Sequence, residues 1–330
     1  MVTLEQIRDA HRAILGRIHR TPLLSSNTLG KRTGAHAFLK AECLQRTGSF
    51  KVRGALNRIR RLSAEEKERG LVAVSAGNHA QAVAFAASAA GARSTVVMPE
   101  GAPHSKAEAS GRYGATVILH GNVFDAWERA LELQRQHGYI FIHPYDDLDI
   151  IAGQGTVGLE ILDDAADPDV VVVPIGGGGL IAGVATAIKS VRPATRVIGV
   201  EPVGAACVWE ALRADKVVQL ERVETIADGL AAPYTAELPL AHIRKYVDDV
   251  VRVTDEQIVA ALLFVLERAK LMLEPAGAAA VAALLTGQVR LRPTQKVVAV
   301  LSGGNIDLSR LRTMLPDAAA EPAKFGALKG

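Results

Sequence analysis

The 330-residue sequence predicts an α/β protein with two open, mostly parallel twisted sheets. Three observations lead there. Short valine- and isoleucine-rich runs recur along the chain, alanine-rich stretches of helical length separate them, and several runs end in glycine-rich turns. Near-continuous apolar runs suit parallel strands, because both faces of such a sheet are covered and neither meets water.

In chain order, "AHAFLKAE" (35–42) reads as a strand, as do "LVAVSA" (71–76), "STVVMP" (94–99) and "ATVILH" (115–120). The stretches 51–62, 79–90, 104–113 and 123–137 read as the helices between them. The alternation resumes beyond residue 150 with "DVVVVPI" (169–175), "TRVIGVEP" (195–202) and "KVVAVLSG" (296–303). A boundary near residue 150 fits this rhythm, although composition does not fix it. Only the Ala/Pro-rich tail after Pro316 has biased composition. Ligands of open α/β sheets bind beyond the carboxyl ends of the strands, so the turns there are where chemistry is expected.

Composition narrows the classes. Hydrophobic residues make up 49% and aromatics 4%, and the formal charge is +3. Basic residues are scattered apart from "RIRR" (58–61), which reads as a solvated helix face, so no nucleic-acid footprint is expected. The start carries Glu5 and Asp9 and has no apolar h-region, so no secretory signal is expected. The apolar run "IVAALLFVL" stops at Glu267, too short to span a membrane. Cys43 and Cys207 stand apart with no CxxC spacing, which suits a reducing, cytoplasmic setting.

Four turns carry the functional signal. "VVVVPIGGGGLIAG" runs from a strand through Gly176, Gly177, Gly178 and Gly179 into a helix starting near Leu180. Successive backbone N–H groups at a helix N-terminus make a phosphate cradle, whereas a plain tight turn needs only one or two glycines. Gly177, Gly179 and Ala182 also satisfy the degenerate G-x-G-x-x-A pattern, with Glu201 where a ribose-binding acid would sit. A nicotinamide-dependent oxidoreductase is therefore a rival on this motif alone. "SAGNHAQ" (75–81) offers Ser75, Ala76, Gly77, Asn78 and His79 as a carboxylate receptor, or else an N-cap by Ser75 or Asn78. Ser302 in "VLSGGNIDL" and Asp228–Gly229 in "ETIADGLAAP" complete the set, and ordinary capping or turning could explain either. One dinucleotide half-site leaves these extra turns unused; a small phosphorylated cofactor clasped between two domains could use all four. Finally, "TGSFKVRGALN" (47–57) places Lys51 between Phe50 and Val52 at what reads as a helix start.

Taken together, "TGSFKVRGA", "SAGNHAQ", "IAGQGTVGLEIL", "PIGGGGLIAG", "IADGLA", "LEPAGAA" and "LSGGNID" make the chain resemble the serine/threonine dehydratase group of fold-type II pyridoxal-phosphate enzymes over residues 20–310. The resemblance implies a tryptophan synthase β-like fold, with a large domain (1–51 and 147–330) and a small domain (52–146) inserted in it. It implies pyridoxal 5'-phosphate linked to Lys51, with Phe50 on one ring face and Gly229 leaving room on the other. The loop Gly176–Leu180 would take the phosphate, Asn78 the ring hydroxyl and Ser302 the ring nitrogen. Residues 75–79 would hold the substrate carboxylate. Lys51 needs a lowered pKa to serve as a free amine, and partial burial beside other cations is expected to supply it. Arg53 is expected to hold the lysine segment, and Glu274 to start a helix or face the cofactor.

The implied reaction is β-elimination from a small β-hydroxy amino acid. L-Threonine would give 2-oxobutanoate and ammonia; L-serine would give pyruvate and ammonia. 3-Hydroxyaspartate or a bulkier substrate, a racemase-like activity and a non-catalytic amino-acid-binding role stay open. Racemases of the family carry a serine where this chain has Ala76, which has no proton to give. Some members bind a divalent cation at positions matching Glu201, Ala205 and Cys207; a thiol is a poor ligand for hard cations, so a metal is doubtful. Arg46 stands where the family often has a small residue. The length suggests the shorter catabolic type without a C-terminal regulatory domain, assembled as a homodimer or homotetramer.

Overall fold

A computed structural model describes residues 1–315; the Ala/Pro-rich tail from Pro316 onward lies outside the described residues. The chain opens with α1 (Leu4–Ile14), β1 (Leu23–Ser25), α2 (Asn27–Thr33) and β2 (His36–Lys40). Next come α3 (Lys51–Arg60), α4 (Ala64–Arg69), β3 (Leu71–Val74), α5 (Asn78–Ala89) and β4 (Ser94–Met98). The middle continues with α6 (His104–Arg112), β5 (Thr116–Leu119), α7 (Val123–His137), β6 (Ile140–Phe141) and α8 (Leu148–Ala165). Then follow β7 (Val170–Pro174), α9 (Gly179–Val191), β8 (Arg196–Pro202), α10 (Cys207–Ala214) and α11 (Glu237–Tyr246). The last elements are β9 (Asp249–Val253), α12 (Asp255–Ala269), α13 (Pro275–Leu285), β10 (Lys296–Val300) and α14 (Leu308–Met314).

Two sheets form, as the apolar runs predict. A six-stranded sheet has the order β1-β2-β10-β7-β8-β9, and a four-stranded sheet the order β5-β4-β3-β6. All pairings are parallel except β1 with β2. Strand β7 explains why its run is apolar throughout. Its Val170 and Val172 join a core with α12 and α13, while Val171 and Val173 join one with α8 and α9. Alternate side chains of a strand point to opposite faces, so a strand covered twice needs apolar residues at both parities. Strands β1, β6 and β9 lie outside the sequence expectation. They are sheet edges, where short or charge-bearing strands suffice.

The "RIRR" run departs from a solvated face. Arg60 and Arg61 both pair with Asp9 of α1, and Arg61 Nε lies 3.0 Å from Asp149 of α8. These arginines seam three helices together. Among the described residues no helix is long and apolar enough to cross a membrane.

Candidate active site

Three neighbouring parallel strands, β2, β10 and β7, end at one edge of the larger sheet. Beyond those ends lie the Lys51 segment, the Ser302 loop and the Gly176–Gly179 loop respectively. The first two are stitched together. Phe50 N–H donates to Ser302 O at 3.2 Å and Gly304 N–H to Gly48 O at 2.9 Å, around an antiparallel Ser49–Gly303 bridge. The turn is tight enough to put Thr47 at φ 62°, unusual for a residue with a Cβ. Its buried hydroxyl and that of Ser49 have no hydrogen-bond partner.

Lys51 is the first residue of α3 and is partly buried. Its amine donates to Pro144 O at 3.0 Å and lies 5.3 Å from the centre of the Phe50 ring. Burial lowers its pKa to about 8, opposed by the negative charge of Glu274. The expectation of cationic neighbours is therefore corrected: desolvation alone makes the free amine accessible. Two neutral imidazoles flank it. His143 Nδ1 accepts from Asp146 N–H (2.7 Å) and Tyr145 N–H (3.2 Å), and burial together with the Lys51 charge lowers this ring to about 4. His79 bonds Ile142 O at 2.8 Å through Nε2, and burial and Lys51 lower it to about 3.

Asn78, Asn305 and Glu274 form a chain across the cleft. Asn305 Nδ2 donates to Asn78 Oδ1 and to Thr47 O, both at 2.7 Å. Asn78 Nδ2 donates in turn to Glu274 Oε1. Burial pushes the Glu274 carboxyl up to about 7, against the Lys106 charge and the Asn78 bond. A Cβ on Gly229 would lie 3.7 Å from Glu274 Oε1 and 4.0 Å from Asn78 Nδ2, so that loop faces the same groups. Ser302 is buried, and its hydroxyl meets Ala276 O only at a long 3.4 Å.

The glycine loop needs its glycines. A Cβ at Gly177 would sit 2.3 Å from the Tyr145 ring, and Gly178, at φ +93°, precedes α9 with no side-chain cap. Unmet N–H groups at a helix start attract an anion. Helix α5 also starts uncapped, at Gly77, and Ser75 Oγ accepts only the Gly77 N–H at 3.1 Å. Neither Ser75 nor Asn78 caps it, contrary to one reading of the sequence.

The remaining candidates lie elsewhere. Both Glu201 oxygens accept N–H groups of α10, from Val208 and Trp209 at 2.8 Å each, and burial raises this carboxyl to about 8. Ala205 is buried, and Cys207 Sγ reaches Gly176 O at 3.6 Å. Glu201 thus does the work of a helix cap. Arg46 is exposed, and nothing in the structure assigns its side chain a role. Arg53 lies beneath the cleft in a closed ion cluster. Its guanidinium bonds Glu42, Glu160 and Thr156, while Lys40 Nζ bonds Glu160 at 2.6 Å. Sequence reasoning missed Pro144, Tyr145, His143, Asn305 and Lys106. Asn305 stood inside a quoted motif, whereas "HPYDD" and "APHSKAE" carry no glycine-rich signature.

An amine poised near neutrality, an uncapped glycine loop and a buried hydroxyl fit a small phosphorylated aldehyde; the orphaned Thr47 and Ser49 hydroxyls mark the cleft as incomplete without a ligand. This defines a cofactor-dependent α/β enzyme. Residues 14–303 match the family described as pyridoxal-phosphate dependent enzymes, and the chain belongs to that family. Its cofactor is pyridoxal 5'-phosphate. The L-threonine ammonia-lyase of Thermotoga maritima is 49% identical over 312 residues, covering 94% of this chain and 77% of that protein. The catabolic L-threonine dehydratase TdcB of Escherichia coli K12 is 44% identical, covering 94% and 95% respectively. Among solved structures, maize serine racemase superposes with a TM-score of 0.91 at 38% identity, covering 94% of this chain and 96% of that one.

Proposed function

We propose that the enzyme is an ammonia-lyase that converts L-threonine to 2-oxobutanoate and ammonia, and L-serine to pyruvate and ammonia. The observation that carries this is the Lys51 amine, desolvated to a pKa of about 8 where the glycine loop, Ser302 and Asn78 converge. The names of the two curated relatives point to the same reaction.

In this reading the Gly176–Leu180 N–H groups hold the cofactor phosphate, Asn78 Nδ2 the ring hydroxyl and Ser302 Oγ the ring nitrogen. Phe50 covers one ring face, and Gly229 leaves the other open. The substrate carboxylate sits on the uncapped start of α5, residues 75–79. The bound cofactor supplies the electron withdrawal that makes the Cα proton acidic. Lys51 takes that proton as a free base, and its pKa lies close enough to neutrality for efficient transfer. A neutral hydroxyl at Ser302, unlike a carboxylate, does not hold a proton on the ring nitrogen. Prompt loss of the β-hydroxyl as water is then favoured over slower side reactions. Ala76 offers no proton on the opposite face, which weighs against racemisation despite the likeness to maize serine racemase. We further take residues 52–146 as a small domain inserted in the large one, the setting as cytoplasmic and the assembly as a homodimer or homotetramer.

The test is the visible absorption of the purified holoenzyme before and after L-threonine. A cofactor band that shifts while 2-oxobutanoate accumulates is expected. A band that shifts with no 2-oxo acid or ammonia released would overturn the reading.

A further inference from the structure

A lysine that none of the roles above uses stands at the mouth of the cleft. Lys106 lies in α6, which follows β4 of the four-stranded sheet. Its side chain is only 12% exposed, so the amine is directed inward rather than into solvent. Two measurements locate it. Nζ lies 3.8 Å from Asp228 Oδ2, and 3.8 Å from where a Cβ on Gly77 would be. Gly77 is the residue at which α5 begins without a side-chain cap.

The contact with Asp228 is loose, because 3.8 Å is beyond a hydrogen bond. Asp228 already has a better partner. Arg310 binds both its oxygens, through Nη1 to Oδ2 and through Nη2 to Oδ1 at 3.0 Å, and Nη2 is also anchored on Ile226 O at 2.7 Å. The other nearby carboxyl, Glu274, is engaged by Asn78. Lys106 is thus a mostly buried cation whose ion pair with Asp228 stays long at 3.8 Å, held beside the start of a helix that has no side-chain cap. A carboxylate seated on the start of α5 meets the α5 N–H groups on one side and the Lys106 ammonium on the other. Because α5 and α6 flank the same strand, β4, this pairing does not depend on how the two sheets are disposed.

We propose that Lys106 recognises the α-carboxylate of the amino-acid substrate, exchanging its loose contact with Asp228 for a charge-assisted bond to the ligand. This rests on the amino-acid lyase reading above, but concerns binding and not turnover. Arg310 keeps Asp228 paired when Lys106 leaves it, so the exchange strands no buried charge. The residue determines specificity: it favours ligands with a free carboxylate over their neutral amides.

The experiment titrates holoenzyme, followed by its visible spectrum, with L-alanine and L-alaninamide, which have no β-hydroxyl to lose. In Lys106→Met, the Kd for L-alanine should rise by roughly tenfold to a hundredfold, the usual loss with a charge-assisted hydrogen bond. The Kd for L-alaninamide should be unchanged, and Lys106→Arg should recover most of the L-alanine affinity. An unchanged L-alanine Kd in Lys106→Met, or equal losses for acid and amide, would overturn the proposal. Turnover of L-threonine is assayed separately on the unaltered enzyme. Lys106-dependent carboxylate selectivity without any 2-oxobutanoate would sink the lyase reading and leave this one standing.

Discussion

Lys51 and Arg53 are two residues apart on α3, yet they face opposite kinds of polar surroundings. Arg53 belongs to a cluster that completes itself. Two cations, Lys40 and Arg53, meet two carboxylates, Glu42 and Glu160, and every carboxylate oxygen accepts at least one hydrogen bond. Although burial opposes it, Arg53 and Lys40 hold Glu160 below the usual carboxylate range. The cleft around Lys51 is left unfinished. Its amine has only a carbonyl to bond, two buried hydroxyls nearby have no partner, and burial drives Glu274 up to about 7. Buried polar groups that satisfy one another hold a fold; buried groups left without partners in a cleft leave room for a ligand's polar atoms.

The comparison can be broken at three points. Lys51→Ala should lower 2-oxobutanoate production on the order of 10⁴-fold, the upper range for loss of a general base, while leaving the urea midpoint nearly unchanged. A rate within tenfold of the unaltered enzyme would remove Lys51 from the chemistry. Arg53→Met should do the reverse in kind. It leaves two carboxylates facing one lysine, so urea unfolding should show a loss of about 3–5 kcal/mol. A loss below about 1 kcal/mol would mean that the cluster is less completely buried than it looks. Glu274→Gln sharpens the contrast through pH. The folded carboxyl titrates near 7, above its value in an unfolded chain, so the native protein holds the extra proton between those values. Its stability must therefore fall as pH rises from about 4.5 through 7, by about 3 kcal/mol in total. In urea titrations of cofactor-free protein, the Gln variant should match the unaltered chain at the acid end and exceed it above pH 7. Parallel pH profiles would contradict the assigned cause.

The same contrast explains what could be read in the sequence. Strands covered on both faces announce themselves, as "DVVVVPI" did, because every position must be apolar. Edge strands such as β9, "DVVRV", carry charge and leave a weaker pattern. Within the site, the glycine loops, Lys51 and Ser302 were legible because backbone approach demands unusual residues. Tyr145 and Lys106 were not, since an ordinary residue becomes functional only through what folding sets beside it. Tyr145 meets Gly177 across a large sequence gap, and no local rule encodes that meeting. The cause of the Lys51 shift was misjudged for a related reason. Sequence names the charged neighbours along the chain, whereas desolvation depends on everything packed around the amine.

Strand order has a temporal consequence. Strand β10 lies between β2 and β7 but is the last strand made, with residues 175–295 separating β7 from it. Until β10 is inserted, β2 and β7 have no common neighbour in the sheet, and the Ser302 loop that follows β10 is missing from the cleft. On the ribosome, then, the chain must emerge as far as the Ser302 loop before all four turns of the cleft can meet. Assembly of the larger sheet and creation of the binding cleft are therefore one late folding event.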